Sequence, residues 1–388
     1  MRAVFHLGLP KTGTTSIQQF LKANAEALSA RGVAYEYVPS DLAPNQISQV
    51  ELGFPQFARL GEPIPDPAIR GHYRIQDLDA QRAAGEAYER RFAEAVQART
   101  EPLYLMSSEH VGAWTRTPAH AAALDDFLSA HFDDVRYVMY VRRQEDWVLS
   151  NYSQALRRGG HKTLGEFIRG FPGTGYMERL KAWLEVVGHD RFTLRLLEPD
   201  KLAGGDLVSD FARAVGFDPD GLPRPPRENE SLSAAAAEFL RVANATLPLR
   251  VDGGRRRNPL MQGVQDRLTR WYADQPKLRL NAEQVARIRA RNAEENAWIC
   301  RTFFPGRAEL FPPKPPREGE PDAGPTPEEV ARVGIDLFAA IRSGDMGRLS
   351  EADRALLEGD GRLPDPPDRA RPGRRRRKKT APAPGGVA

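Results

Sequence analysis

Cysteine is nearly missing from this chain of 388 residues: Cys300 stands alone, so no disulfide can form within it and nothing suggests an oxidising compartment. Long apolar runs are missing too. No stretch approaches the roughly 18 consecutive apolar residues of a membrane span. The short apolar run at the start leads directly into a charged, glycine-containing loop rather than a signal-peptide cleavage site. No cluster of His, Cys and Asp stands at metal-ligand spacing, so no metal is expected. These absences leave a cytoplasmic protein as the default.

With 40% hydrophobic and 28% charged residues, the chain has a globular balance and is long enough for one large α/β domain or two smaller ones. Its formal net charge of +4 misleads. The seven cations between Arg371 and Lys379 leave the remainder at −3, so the body is not a basic protein.

The patterning alternates strands and helices. Val4 to Leu7 reads as a strand, Ile17, Phe20, Leu21 and Leu28 as one helical face, and Gly32 to Val38 as a second strand behind a glycine helix stop. Helices are expected over Gln81 to Arg99 and Ala119 to His131, with buried strands at Leu103 to Met106 and Val135 to Val141. Further on, Phe192 to Glu198 is a strand, Asp206 to Val215 a helix closed by Gly216, Ser231 to Asn244 a helix with a serine start, and Ala282 to Phe303 one long helix. Arg255 to Arg257 is a basic cluster within a Gly-Gly turn. Pro39 to Arg74 carries six prolines and reads instead as an irregular excursion that lies over a site and shapes binding there, with His72 and Arg74 as candidate contacts.

This order predicts an α/β fold, a doubly wound parallel sheet flanked by helices, whose ligands bind beyond the carboxyl ends of the strands. Lys11, Glu109 and Arg142 all fall at such ends. The expected division is an α/β domain over residues 1–310, a proline-rich linker over 311–327, a short helical segment over 328–360, and a disordered, basic Arg/Pro-rich tail over 361–388. The Arg371 to Lys379 run offers nucleic acid or an anionic lipid surface a weak electrostatic contact, with a solubilising end as the plainer reading.

The stretch Val4 to Ile17, VFHLGLPKTGTTSI, is a strand, a loop and a helix start. A helix start suits an anion, because its first N–H groups are unpaired and the macrodipole is positive there. Gly13 lets the backbone approach a ligand closely, Thr14, Thr15 and Ser16 bring hydroxyls, and Lys11 brings a full charge. Gly8 and Gly13 have the G-x-x-x-x-G spacing of a P-loop, but Thr14-Thr15 stands where that motif needs Lys-[Ser/Thr], and the lysine precedes the second glycine by two residues.

In this form, Pro10-Lys11-Thr12-Gly13-Thr14-Thr15, the loop resembles the 5'-phosphosulfate loop of sulfotransferases that use 3'-phosphoadenosine 5'-phosphosulfate (PAPS), a P-loop NTPase-like fold. A second segment, Tyr140 to Tyr152 (YVRRQEDWVLSNY), resembles the 3'-phosphate-binding segment of the same family, in which a strand-terminal arginine is followed eight residues later by a helical serine: here Arg142 and Ser150. The chemistry fits, since an arginine fork bonds phosphate bidentately and a serine two turns on adds a donor. Arg143 competes for that role, although strand alternation turns neighbours to opposite faces.

The resemblance covers roughly residues 1–310 and implies sulfuryl transfer from PAPS, as co-substrate, to an unidentified acceptor. It implies Pro10, Lys11, Thr12, Gly13, Thr14, Thr15, Ser16, Arg142 and Ser150 as donor-binding residues and Lys11 as the group that stabilises the leaving bridging oxygen. The residue matching Ser150 is thought in the family to hold the lysine back until acceptor arrives. A proton acceptor follows the strand Leu103 to Met106, where Glu109 is the first choice and His110 the second. By analogy with the glutamate-base branch, the acceptor is a carbohydrate hydroxyl or amine. Two other readings stay open: an ATP-dependent small-molecule kinase, for which Glu198 is the nearest strand-terminal acid for Mg²⁺, and a non-enzymatic binding protein acting through its basic tail.

Overall fold

β1 (Arg2–Leu7) is buried on both of its faces from Ala3 onward, as suits a strand covered by helices from both sides. The computed structural model, which describes residues 1–36, 38, 48–225, 231–247, 249–251, 256–314 and 324–342, places it at the centre of a five-stranded parallel sheet. Between β1 and β2 (Val33–Tyr35) run α1 (Thr14–Ala23) and α2 (Ala25–Ser29). Before β3 (Leu103–Ser108) come α3 (Gly53–Leu60), α4 (Pro67–His72) and α5 (Leu78–Gln97). α6 (Glu109–Trp114) and α7 (Pro118–Ser129) precede β4 (Asp134–Val141), and α8 (Gln144–Arg157), α9 (Leu164–Arg169) and α10 (Tyr176–Val187) precede β5 (Phe192–Leu196). The rest is α11 (Leu207–Val215), α12 (Ala234–Thr246), the hairpin of β6 (Arg250–Val251) and β7 (Arg256–Arg257), α13 (Pro259–Trp271), α14 (Ala282–Arg291), α15 (Ala293–Phe303) and α16 (Pro327–Arg342).

The strand order is β2-β3-β1-β4-β5. Val4, Leu105, Val138 and Tyr140 face α1, α2 and α11, meeting Ile17, Phe20, Leu21, Leu28 and Phe211. Their alternates Phe5, Met106, Tyr137 and Met139 face α5, α7, α10 and α15, meeting Phe92, Phe127, Trp183 and Ile299. Side chains two residues apart share a face, so both layers follow from one strand period. Because the parallel register sets Leu7 beside Ser108 and Met139, the segments leaving β1, β3 and β4 emerge side by side. A third cluster joins Tyr152 and Leu156 of α8 to α12, α13 and α16, the last through Val333 and Leu337.

Several expectations are corrected. The excursion before Arg74 is largely helical where it is described, because two of its prolines start helices instead of breaking them. Pro55 lies in the first turn of α3, and Pro67 opens α4 behind the Asp66 cap, which accepts from Ala68 N at 2.8 Å. His72 and Arg74 are exposed. The expected helix Ala282 to Phe303 is two helices. Buried Asn292 turns its side chain back on the chain, donating Nδ2 to Ile288 O at 2.7 Å, and φ −107 there ends α14. The serine that starts α12 is Ser233, not Ser231, and β2 is shorter than expected. Residues 39–47, 252–255, 315–323 and 343–388, with much of the expected linker and all of the basic tail, lie outside the described residues.

Candidate functional site

The loop that follows β1 is held mainly by its own threonines. Thr12 Oγ1 donates to Leu9 O at 2.8 Å and Thr14 Oγ1 to the same carbonyl at 3.3 Å, and both side chains are buried. Their hydroxyls therefore shape the loop, while Thr15 and Ser16 are exposed at its rim. Gly13 has φ +85 and no side chain caps α1, so the helix start is left to backbone groups. A methyl group at Gly13 would lie 2.2 Å from Leu207 Cδ2, a second reason for glycine.

Lys11 itself sits at φ 65, a left-handed conformation that costs a non-glycine residue roughly 1–2 kcal/mol. Such strain persists where surroundings over-determine the backbone, and here two side chains do. Arg142 Nη1 donates to Lys11 O at 3.0 Å, and Trp147 Nε1 donates to Pro10 O at 3.1 Å. Ser150 lies one turn beyond Trp147 on the half-buried side of α8.

The two adjacent arginines have separate roles. Arg143, 6% exposed, donates Nη2 to Glu198 Oε1 at 2.7 Å and bonds the Pro312 carbonyl. Arg307 reaches the other oxygen of Glu198 at 3.1 Å, so this carboxylate carries two guanidiniums. The trio fastens the segment after α15 to the ends of β4 and β5. A cavity of about 850 Å³ opens there, lined by Arg143, Leu197, Glu198, Arg307 and Lys314 among others.

On the other flank, Glu109 and His110 open α6, behind the Ser108 cap. α6 is pressed against the loop: a methyl group at Gly112 would lie 2.1 Å from Gly8 O, and one at Gly8 would lie 3.1 Å from Glu109 Cα. Glu109 is half-buried. His110 Nδ1 is 3.4 Å from Ser48 Oγ, and burial lowers its pKa below the usual histidine value, against an opposing pull from Asp66. The structure thus brings Lys11, Arg142 and the start of α6 to neighbouring strand tips.

A buried polar network beneath the site has no signature in the sequence. Gln18 of α1 donates to Ser107 O at 3.1 Å and Ser107 Oγ at 3.2 Å, and that hydroxyl lies 2.9 Å from His6 Nδ1. Gln49 accepts from Ser107 N. Helix α1 and the tip of β3 are joined by these bonds, between residues 89 positions apart. Trp147, by contrast, stands within the Tyr140 to Tyr152 motif, although its bond to Pro10 needs the fold.

Among the described residues no group of three His, Cys, Asp or Glu side chains could hold a metal ion. No described helix is long and apolar enough to cross a membrane.

No known family model matches the chain. An uncharacterised protein of Archaeoglobus fulgidus is 28% identical over 116 residues, which are 29% of this chain and 32% of that protein, so the chain spans about a third of this relative's length. The crystal structure of a sulfotransferase from Alicyclobacillus acidocaldarius is similar at a TM-score of 0.36 and 19% identity, covering 62% of this chain and 92% of that one. A likeness that loose assigns no activity.

Proposed function

We propose that the chain is a PAPS-dependent sulfotransferase whose acceptor is a hydroxyl or amine, carried by a carbohydrate or glycoconjugate. The observation that carries this reading is the 3.0 Å bond from Arg142 to the Lys11 carbonyl. It sets the Arg142 guanidinium against the backbone of the Lys11 loop, which supports a reading in which one ligand with phosphate at both ends of an adenosine spans the two. An arginine holding one backbone oxygen keeps further N–H donors for a phosphate.

In this reading Lys11, the backbone at Gly13 and the first turn of α1 bind the 5' end, and Arg142 and Ser150 bind the 3'-phosphate. Glu109 removes the acceptor proton, with His110 as the alternative base. The acceptor oxygen or nitrogen forms a bond to sulfur as the bond from sulfur to the bridging oxygen breaks. The electron pair stays on that oxygen, where the Lys11 charge stabilises it without a metal. Glu198 is a poor Mg²⁺ ligand for the kinase alternative, since Arg143 and Arg307 already share its oxygens.

The test is sulfate transfer from labelled PAPS to an acceptor panel, alongside calorimetric binding of adenosine 3',5'-bisphosphate. Bisphosphate should bind the wild type, more weakly the Arg142→Ala and Ser150→Ala variants, and Lys11→Ala should lose transfer. Preference for ATP with Mg²⁺ over the bisphosphate would overturn the reading in favour of a kinase.

A further inference from the structure

Helix α16 (Pro327–Arg342) has two apolar faces, and the fold uses one of them. Val333, Leu337 and Ala340 recur at i, i+4 and i+7 and are buried, the first two in the cluster shared with α8, α12 and α13. Gly334 lets the helix approach α12 closely, since a methyl group there would lie 3.3 Å from Phe239 Cε2. Asp336 accepts from the Tyr272 hydroxyl at 2.6 Å. These contacts fix α16 against the body by its inner side.

The outer side is apolar at its middle and charged at its ends. Ile335 is 59% exposed, Phe338 64% and Ile341 40%. Single exposed apolar residues are common on a surface, but three within two turns of one helix form a patch that calls for a cover. The residues that point furthest outward are Glu328, Ala331, Ile335, Phe338 and Arg342, all exposed. Their intervals are three, four, three and four, the spacing of the seam between two paired helices.

This stripe is complementary to itself when one copy is reversed. About a two-fold axis at Ile335, position 328 faces 342 of the other copy, 331 faces 338, and 335 faces its own equivalent. Glu328 therefore meets Arg342 at both ends, the large Phe338 meets the small Ala331 twice, and Ile335 packs on Ile335. A parallel pairing would set Glu328 on Glu328, Arg342 on Arg342 and Phe338 on Phe338. Self-complementarity in both sign and size is what an interface between two copies related by a two-fold axis requires.

We infer that the outer face of α16 is a dimer seam, on which α16 of a second copy of this chain lies antiparallel with Ile335 on the two-fold axis. The seam is one helix of 16 residues, about 24 Å long, so it belongs to the small class of interfaces that exchange with free monomer. Through Val333 and Leu337 it rests on the same cluster as Tyr152 and Leu156 of α8.

The test is sedimentation velocity of the full chain at low salt, with the melting temperature of each variant recorded. The wild type should pass from monomer to dimer between about 1 and 100 µM, as a small interface does. Ile335→Glu sets two carboxylates face to face and should raise the dissociation constant on the order of 100-fold. Its melting temperature at low concentration should hold, because Ile335 is exposed in the single chain. Glu328→Arg and Arg342→Glu, each opposing like charges at both ends, should raise the constant on the order of tenfold, and the double variant should recover most of the wild-type affinity. Such recovery cannot come from the helix itself, since both changes oppose its macrodipole. A wild type that stays monomeric at about 100 µM, as when the chain beyond Arg342 or another protein covers the stripe, would overturn the inference. Dimers that survive Ile335→Glu, or charge variants that the double change does not rescue, would overturn it as well.

Discussion

Gly112→Ala tests the contact that sets α6 against the loop. The new methyl would lie 2.1 Å from Gly8 O and 3.0 Å from Gly8 N and C, all backbone atoms that cannot rotate away. An ordinary C···O contact is about 3.3 Å or longer, so α6 must retreat by about 1 Å. Over-packing of this kind costs roughly 1–3 kcal/mol, and replacing a helical glycine by alanine returns at most about 1 kcal/mol. A net loss of about 1–2 kcal/mol is expected, read in urea as a lower midpoint at unchanged slope. Gly71→Ala in α4 is the control, since a methyl there meets nothing within 4 Å, and it should be neutral or slightly stabilising. If Glu109 is the base, a 1 Å displacement of α6 should also cost transfer on the order of 100-fold. Should Gly112→Ala unfold at the same urea concentration as the wild type, α6 does not press on Gly8 and the juxtaposition of Glu109 with the loop is wrong.

Two further outcomes follow from buried charge and burial itself. Glu198→Ala strands the guanidiniums of Arg143 and Arg307, so it should cost about 3–5 kcal/mol in chemical denaturation, and a loss below about 1 kcal/mol would mean the cluster is not buried. Burial lowers His6 to about 3, against an ordinary value of 6.5, so the folded chain keeps it neutral where the unfolded chain takes up a proton. Stability contributed by this residue is therefore present in full above pH 6.5 and declines as pH falls toward 3, with a slope of about 1.4 kcal/mol per pH unit. Denaturation midpoints between pH 6.5 and 5 should fall less steeply in His6→Gln than in the wild type, and parallel curves would refute the assignment.

Much of the sheet was legible because a parallel strand covered on both faces is a short apolar run with few alternatives, as Leu103 to Met106 and Val135 to Val141 illustrate. Prolines were misleading, since Pro55 and Pro67 are compatible with a helix only in its first turn, and nothing local says that a turn begins there. Asn292 misled in the opposite sense, because its helix-ending hydrogen bond competes with a sequence that is otherwise helical throughout.

By itself the sequence determined the strand-loop-helix unit around Lys11, the glycine at the φ +85 position, and the presence of two arginines after β4, all properties of neighbouring residues. Only the tertiary structure decided which arginine meets the loop and which is taken by Glu198, because strand alternation separates the pair but does not say what lies on either face. It alone joined Gln18 to Ser107, since such pairs are set by how helices pack on a sheet. Backbone preferences act over a few residues, whereas the fields and hydrogen bonds that make a site act through space.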